Sequence, residues 1–260
     1  MKASGGREVR IVGIDGLPEV RPGDDVAALL GAAIAESGVG LERGDIVVVT
    51  HKIVSKAEGR LVDLRGVEPS PLAQRIAVHD DKDPRKIEVV LRESVRIVRM
   101  TGSLIIAETA HGFVCANAGV DASNVSPDTV VLLPADPDAS AARIRASLGE
   151  RFGLRGDHAP AVVISDSFGR PWRKGIVNVA VGVSGMTPLV DYRGLEDAAG
   201  YELSASVLAV ADEVAAAAEL VMHKLAARPA AVVRGYEPAL GSPTGTGKDL
   251  LLGAERDLFR

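Results

Sequence analysis

The chain alternates between short β-branched runs and stretches in which apolar residues recur every three to four positions, the signatures of strands and amphipathic helices. Glu8 to Ile14 reads as a first strand, and Gly16-Leu17-Pro18-Glu19 turns it toward a helix from about Asp24 to Ser37. The helix keeps Val26, Leu29, Leu30, Ala33 and Ile34 on one face, with Asp24 and Asp25 as caps and Gly38 and Gly40 at its end. Asp45 to Thr50 is apolar without interruption, which predicts a strand buried on both faces. Lys52 and Lys56 come next and point the same way if that segment is helical.

Ser70 with Pro71 and Asp83 with Pro84 start two short helices, Pro69 to Asp80 and Pro84 to Ser94. Arg96 to Arg99, Leu104 to Glu108 and Phe113 to Ala116 are consecutive strands, which argues for antiparallel pairing rather than a regular strand-helix-strand chain. Val130 to Leu133 is another strand, and Asp136-Pro137-Asp138 caps a helix running to about Phe152. Ala205 to Leu225 is expected to be the longest helix, and Ala230 to Arg234 is a last buried strand with Tyr236 and Glu237 just past it. Residues 1–260 read as a single domain with two structural lobes, and 238–260 as a flexible Gly-rich C-terminal segment. Gly241 to Asp249 resembles a P-loop only superficially, because Ser242 stands where Gly is required and Asp249 where Ser or Thr is.

Composition narrows the classes. A chain of 260 residues that is 47% hydrophobic can build a full core, so disorder is not expected. A net charge of -5 gives no general attraction to nucleic acid or to an anionic membrane, so any polyanion must be met locally. Aromatic residues make up 3%, too few for a base-stacking platform. The single cysteine, Cys115, excludes an internal disulfide and a thiolate zinc cluster, and fits a reducing cytoplasm. Neither a secretory h-region at Met1 to Arg10 nor a membrane span is present, since Asp212, Glu213 and Glu219 interrupt the most apolar helical stretch.

Candidate chemistry concentrates between Ala161 and Leu203. A β-branched run from Ala161 ends in Asp166 and Ser167, and Arg170, Arg173 and Lys174 follow around the only tryptophan, Trp172. The pattern predicts a buried strand delivering a loop. Asp and Ser oxygens suit a hard cation, and the three cations suit phosphate or carboxylate. A second polar loop, Asn117 to Val125, holds Asp121 and Asn124 after the Phe113 to Ala116 strand. Each loop alone reads as a turn built on its Asp or Asn. Together they offer paired carboxylates from separate strands, which a magnesium or manganese ion shares with water and substrate phosphate.

Several long motifs occur in register: Gly44 to Thr50 with Lys52 to Arg60, Asn117 to Val125, Asp166 to Arg173, and Asp191 to Gly194. In these the chain resembles the coenzyme F420-0:L-glutamate ligase family, in order from about residue 8 to residue 237. The resemblance implies an α+β fold of two intertwined lobes with mixed, largely antiparallel sheets, working as a homodimer. It also implies a GTP-dependent amide ligase that adds L-glutamate to the carboxylate of coenzyme F420-0 through an acyl phosphate, with two divalent ions, magnesium or manganese, and potassium.

Carried over by position, the resemblance assigns Asp121, Asp166, Ser167 and Glu237 to metal, and Leu17, Pro18, Glu19, Val20, His51, Lys52, Lys56 and Asn124 to nucleotide. Lys56, Arg170 and Arg173 are the expected catalytic cations. Two departures stand out: His51 replaces a small polar residue, and Ile176-Val177-Asn178 stands where many relatives have Gln-Thr-Asp. The alternatives are a same-fold ligase or phosphotransferase acting on another carboxylate, and a non-catalytic GTP-binding protein. Some bacterial relatives carry a nitroreductase-like domain after this one, so the chain reads as a free-standing ligase or as part of a longer protein.

Overall fold

A computed structural model describes residues 8–237 and 245–257. In chain order the strands are β1 (Arg10–Ile14), β2 (Ile46–Thr50), β3 (Leu61–Asp63), β4 (Ser94–Thr101), β5 (Leu104–Thr109), β6 (Val114–Ala116), β7 (Thr129–Val131), β8 (Ala161–Arg170), β9 (Arg173–Ser184), β10 (Val190–Asp191), β11 (Val207–Leu208) and β12 (Ala230–Arg234). The helices are α1 (Val26–Glu36), α2 (His51–Ala57), α3 (Pro71–Ala77), α4 (Pro84–Glu93), α5 (Pro137–Arg151) and α6 (Val210–Met222).

The continuous apolar runs build a five-stranded sheet in the order β1-β12-β2-β8-β9. Only β2 and β8 pair in parallel, and the other neighbours are antiparallel. Side chains alternate across a strand, so β2 feeds both faces. Val47 and Val49 pack with Val162, Ile164 and Val232 under α1 and α5, while Ile46 and Val48 pack with Val163, Ala231 and Val233 under α6. Burial on both faces is what the unbroken Asp45 to Thr50 run requires.

Residues between β3 and β7 leave this sheet and form a second layer group. Antiparallel β4-β5-β6 covers α3 and α4 through Ile76, Ile87, Val90, Ile105 and Ala107, and β3 pairs with β7. The result is a mixed α+β fold with mostly antiparallel sheets, as the three consecutive strand runs imply. Most of the expected caps form: Asp25, Ser70, Asp83 and Asp136 side chains each accept a backbone N–H of the first turn, whereas Asp24 accepts from Arg21 N ahead of the helix.

Two expectations need correction. Asp166 and Ser167 are not in a loop after a strand; β8 continues through them to Arg170 and turns at Pro171-Trp172 into β9. Among the described residues the longest helix is α5, with 15 residues, because the chain from Ala205 to Ala209 is not helical, Val207 and Leu208 forming β11, and α6 begins only at Val210, spanning 13. Of the Gly-rich C-terminal segment, 238–244 and 258–260 lie outside the described residues. The part that follows is packed: Gly247 N donates to Asp138 Oδ1 at 2.6 Å, and Leu251 packs against the α1–α5 side of the core.

Candidate active site

Strands β1, β2 and β8 all point the same way, and their C-terminal ends open on one edge of the sheet where β12 begins. The crevice beyond the carboxyl ends of parallel strands is where an open sheet can receive a ligand. A cavity of about 330 Å³ lies there. Leu17, Pro18, Glu19 and Val20 line it from the β1–α1 loop, Lys52 and Lys56 from α2, and Asn124 from the loop after β6. The sequence-predicted nucleotide residues therefore converge on one space, except His51, which lies fully buried beneath it.

The convergence follows from local structure. Thr50 ends β2 and stands at the N-cap position of α2, whose 3.6-residue period puts Lys52 and Lys56 on one face. Lys56 Nζ lies 2.5 Å from Glu19 Oε1, and Gly23 N donates to Ala57 O at 2.8 Å, so the β1–α1 loop is tied to the helix. The parallel register sets Thr50 opposite Ser165, which brings the next residues, His51 and Asp166, side by side. His51 Nε2 stands 3.3 Å from Asp166 Oδ1 without meeting hydrogen-bond geometry, while its Nδ1 faces Ser55 Oγ at 3.3 Å. Ser165 Oγ is likewise buried without a hydrogen-bond partner.

Asp166 and Ser167 also line a second pocket of about 100 Å³, together with Asp121, Cys115 and Gly119. The two aspartates named from the sequence thus face one space from β8 and from the stretch after β6, where Asp121 bridges Val131 through its backbone. Lys52 Nζ lies 2.7 Å from Asp121 Oδ2 and also donates to Ser123 Oγ. Burial pushes the Asp121 carboxyl up, but the Lys52 ammonium and the Ser123 N–H outweigh it and hold the group below the usual carboxylate range.

Among the described residues no three His, Cys, Asp or Glu gather into a cage. Two carboxylates and the Ser167 hydroxyl at a shared pocket are nonetheless the oxygen set that a magnesium-type ion takes when substrate phosphate and water complete its shell. The residues fit such an ion.

Other expected residues lie apart. Glu237 is exposed and lines neither cavity; at the β8–β9 turn the half-buried Arg170 and the exposed Arg173 line neither as well. Arg170 Nη2 donates to Lys174 O at 3.1 Å, and the turn carries Trp172 at a φ of 56°. In the Asp191 to Gly194 motif, Arg193 Nη2 meets Asp191 Oδ2 at 2.5 Å, outside both cavities. Conversely, Glu219, Lys224 and Arg228 line the main cavity and were not singled out, while Asn178, noted in the sequence only as part of the Ile176-Val177-Asn178 departure, lines it too. No local pattern marks them, because α6 and β9 meet the site only through the sheet order.

The family model described as F420-0:Gamma-glutamyl ligase matches residues 15–235. The chain is 46% identical over 253 residues to the coenzyme F420:L-glutamate ligase of Methanothermobacter thermautotrophicus, covering 97% of this chain and 99% of that protein. It is 46% identical over 245 residues to the same-named protein of Methanopyrus kandleri, covering 93% and 94%. With that of Methanocaldococcus jannaschii it shares 40% over 255 residues, 98% of each. A family match spanning β2 to β12, both cavities and the loops that line them, with relatives aligned over nearly their whole length, makes this chain a member of the F420-0:gamma-glutamyl ligase family.

Proposed function

We propose that the chain is a GTP-dependent ligase that joins L-glutamate to the carboxylate of coenzyme F420-0. The observation that carries the reading is the convergence of Lys52, Lys56, Asn124 and the 17–20 loop on one cavity that adjoins the Asp121 and Asp166 pocket, in a member of this family.

A carboxylate in water does not condense with an amine unless its oxygen is first made a leaving group. In the proposed reaction an acceptor carboxylate oxygen attacks the γ-phosphorus of GTP, GDP departs, and an acyl phosphate forms. The glutamate amine then attacks the acyl carbon, phosphate leaves, and the amine proton goes to solvent. Lys56, held by Glu19 at the rim, and Lys52 are placed to bind phosphate as point charges. The 17–20 loop and Asn124 bound the space for the rest of the nucleotide. Asp166 and Ser167 line both spaces, so phosphate transfer and the acceptor meet at β8. Magnesium or manganese held by Asp121, Asp166 and Ser167 would spread the negative charge of the transferring phosphoryl group. Potassium and a homodimer belong to the same proposal, the dimer drawing on the exposed apolar Val95, Ile97 and Met100 of β4.

Incubation with GTP, manganese, L-glutamate and F420-0, followed by mass spectrometry, tests the reading. One or more glutamyl increments on the acceptor, dependent on GTP, are expected. GTP hydrolysis without an acceptor-dependent product would favour another carboxylate acceptor instead. Light scattering at micromolar concentration checks the dimer, and a monomer mass removes it while leaving the chemistry standing.

A further inference from the structure

A fully buried imidazole that only filled space could give way to an apolar group, which would leave no polar atom unmatched. His51, the first residue of α2, is 0% exposed, and its Nε2 has no hydrogen-bond partner among the described residues. That nitrogen stands 3.3 Å from Asp166 Oδ1. The same oxygen accepts the Ser167 N–H at 2.7 Å, whereas Asp166 Oδ2 has no hydrogen bond or ion pair among the described residues.

Chemistry selects the nitrogen that carries the proton. An ionised carboxylate only accepts, so a bare lone pair on Nε2 would repel Oδ1, and the favoured tautomer has Nε2–H. Nδ1 then accepts from the Ser55 hydroxyl at 3.3 Å, itself buried. The backbone fixes both partners: the β2–β8 register sets Thr50 opposite Ser165, so His51 and Asp166 follow side by side, and Ser55 lies about one helical turn beyond His51. The two oxygens of Asp166 are thereby distinguished. Oδ1 faces two donors of this chain, and Oδ2 faces none.

We propose that His51 is a positioning residue for Asp166, its Nε2–H steadying Oδ1 and so reserving Oδ2 for a divalent cation. This rests on the metal reading of Asp121, Asp166 and Ser167 given above and adds to it the side chain that aims one of the carboxylates. A carboxylate free to rotate must be ordered when it binds an ion, whereas one held from behind by hydrogen bonds is already oriented. The 3.3 Å contact is slightly long and off-angle for a hydrogen bond, and rotation of the carboxylate closes it. The role also accounts for a residue that the sequence assigned to nucleotide and that the fold buries beneath the main cavity.

Manganese titrated into the nucleotide-free protein, with the free ion read by electron paramagnetic resonance, tests the role in His51→Phe, His51→Asn and His51→Gln. Phe keeps the bulk of the ring without a donor, the Asn amide reaches only toward Ser55, and the Gln amide extends to the position of Nε2. Manganese affinity should fall about tenfold or more in the Phe and Asn variants and stay within about threefold of wild type in His51→Gln. Melting curves without metal check folding, and if His51→Phe does not fold, the Asn and Gln variants make the same comparison. Urea midpoints of the metal-free protein give a second readout, in which the shifts from His51→Phe and Asp166→Asn should not add when combined. Folded Phe and Asn variants that keep wild-type affinity, while Asp166→Asn loses it, overturn the role of His51 alone. So do equal losses in all the His51 variants, which mark a packing effect, and so do additive urea shifts. An Asp166→Asn protein that binds manganese as wild type does overturns the positioning role together with the metal reading.

Discussion

The Lys52 ammonium sits 2.7 Å from Asp121 Oδ2, and the pair joins helix α2 to the loop that carries the second carboxylate. Lys52 has 12% of its side chain exposed, so removing its partner leaves a largely buried cation unmatched. Two carboxylates facing one space with no cation would repel, but here a lysine already stands at one of them.

Asp121→Asn is therefore expected to lower stability at pH 7 by about 1 to 2 kcal/mol, as well as to abolish tight manganese binding. The sign with pH follows from the lowered carboxyl. Its stabilisation is complete above the unfolded value of about 3.9 and is lost as pH falls through the folded value below that. Urea unfolding of both proteins between pH 3 and 7 should show the difference shrinking toward the acid end. A variant more stable than wild type at pH 7 would contradict the pairing.

Lys56→Ala should weaken GTP binding by about 1.5 to 3 kcal/mol, the worth of a hydrogen bond to a charged group. The fold should tolerate the change, because the freed Glu19 has 75% of its side chain in solvent. Calorimetric titration with GTP measures it. Equal affinity in the folded variant would reduce Lys56 to an anchor for the 17–20 loop.

Arg234 holds the 1% exposed Asp45 by two parallel hydrogen bonds, Nε to Oδ1 at 2.8 Å and Nη2 to Oδ2 at 2.7 Å. Arg234→Met should cost about 3 to 5 kcal/mol, since it strands a buried carboxylate. Adding Asp45→Asn should recover part of the loss. A single-variant cost near zero, read from urea midpoints, would mean that the buried carboxylate finds another partner.

Cys115 lines the Asp121 and Asp166 pocket, yet it should be inert. Burial first, and then the Asp166 carboxylate, push its thiol up to about 12, against a smaller opposing effect of the Gly119 N–H. At pH 8 almost no thiolate is present. A chromogenic disulfide reagent should label the native protein negligibly and the unfolded protein fully. Rapid labelling of the native protein would show a pocket more open than the one seen.

Much of this site was legible in sequence because helix α2 follows β2 without a gap: an unbroken apolar run fixes a buried strand, and the helical period then sets Lys52 and Lys56 together. The caps at Asp25, Ser70, Asp83 and Asp136 were equally local. What escaped is set by distant pairing. Beyond Ser165, β8 extends only because β9 folds back on it, with Asp166 opposite Val179 and Ser167 opposite Asn178. That ribbon is half exposed and lacks the apolar signal of the sheet interior, so it looked like a loop. Glu219 and Lys224 carried no signal, since nothing in the α6 sequence says which edge of the sheet its end will reach.

Strand β12, the last of the sheet in sequence, lies between β1 and β2, the first two. A chain emerging from the ribosome can close the β4-β5-β6 meander and its two helices from neighbouring residues, but it must keep β1 and β2 apart until Arg234 has been made. Loop-closure entropy is then met late and over nearly the whole length, which makes assembly of the central sheet the slow step. Until that moment the apolar edges of β1 and β2 stand open to mispairing, and the cavity that depends on both their ends does not exist. Truncations before β12 should accumulate as aggregates that retain the small sheet and cannot bind nucleotide.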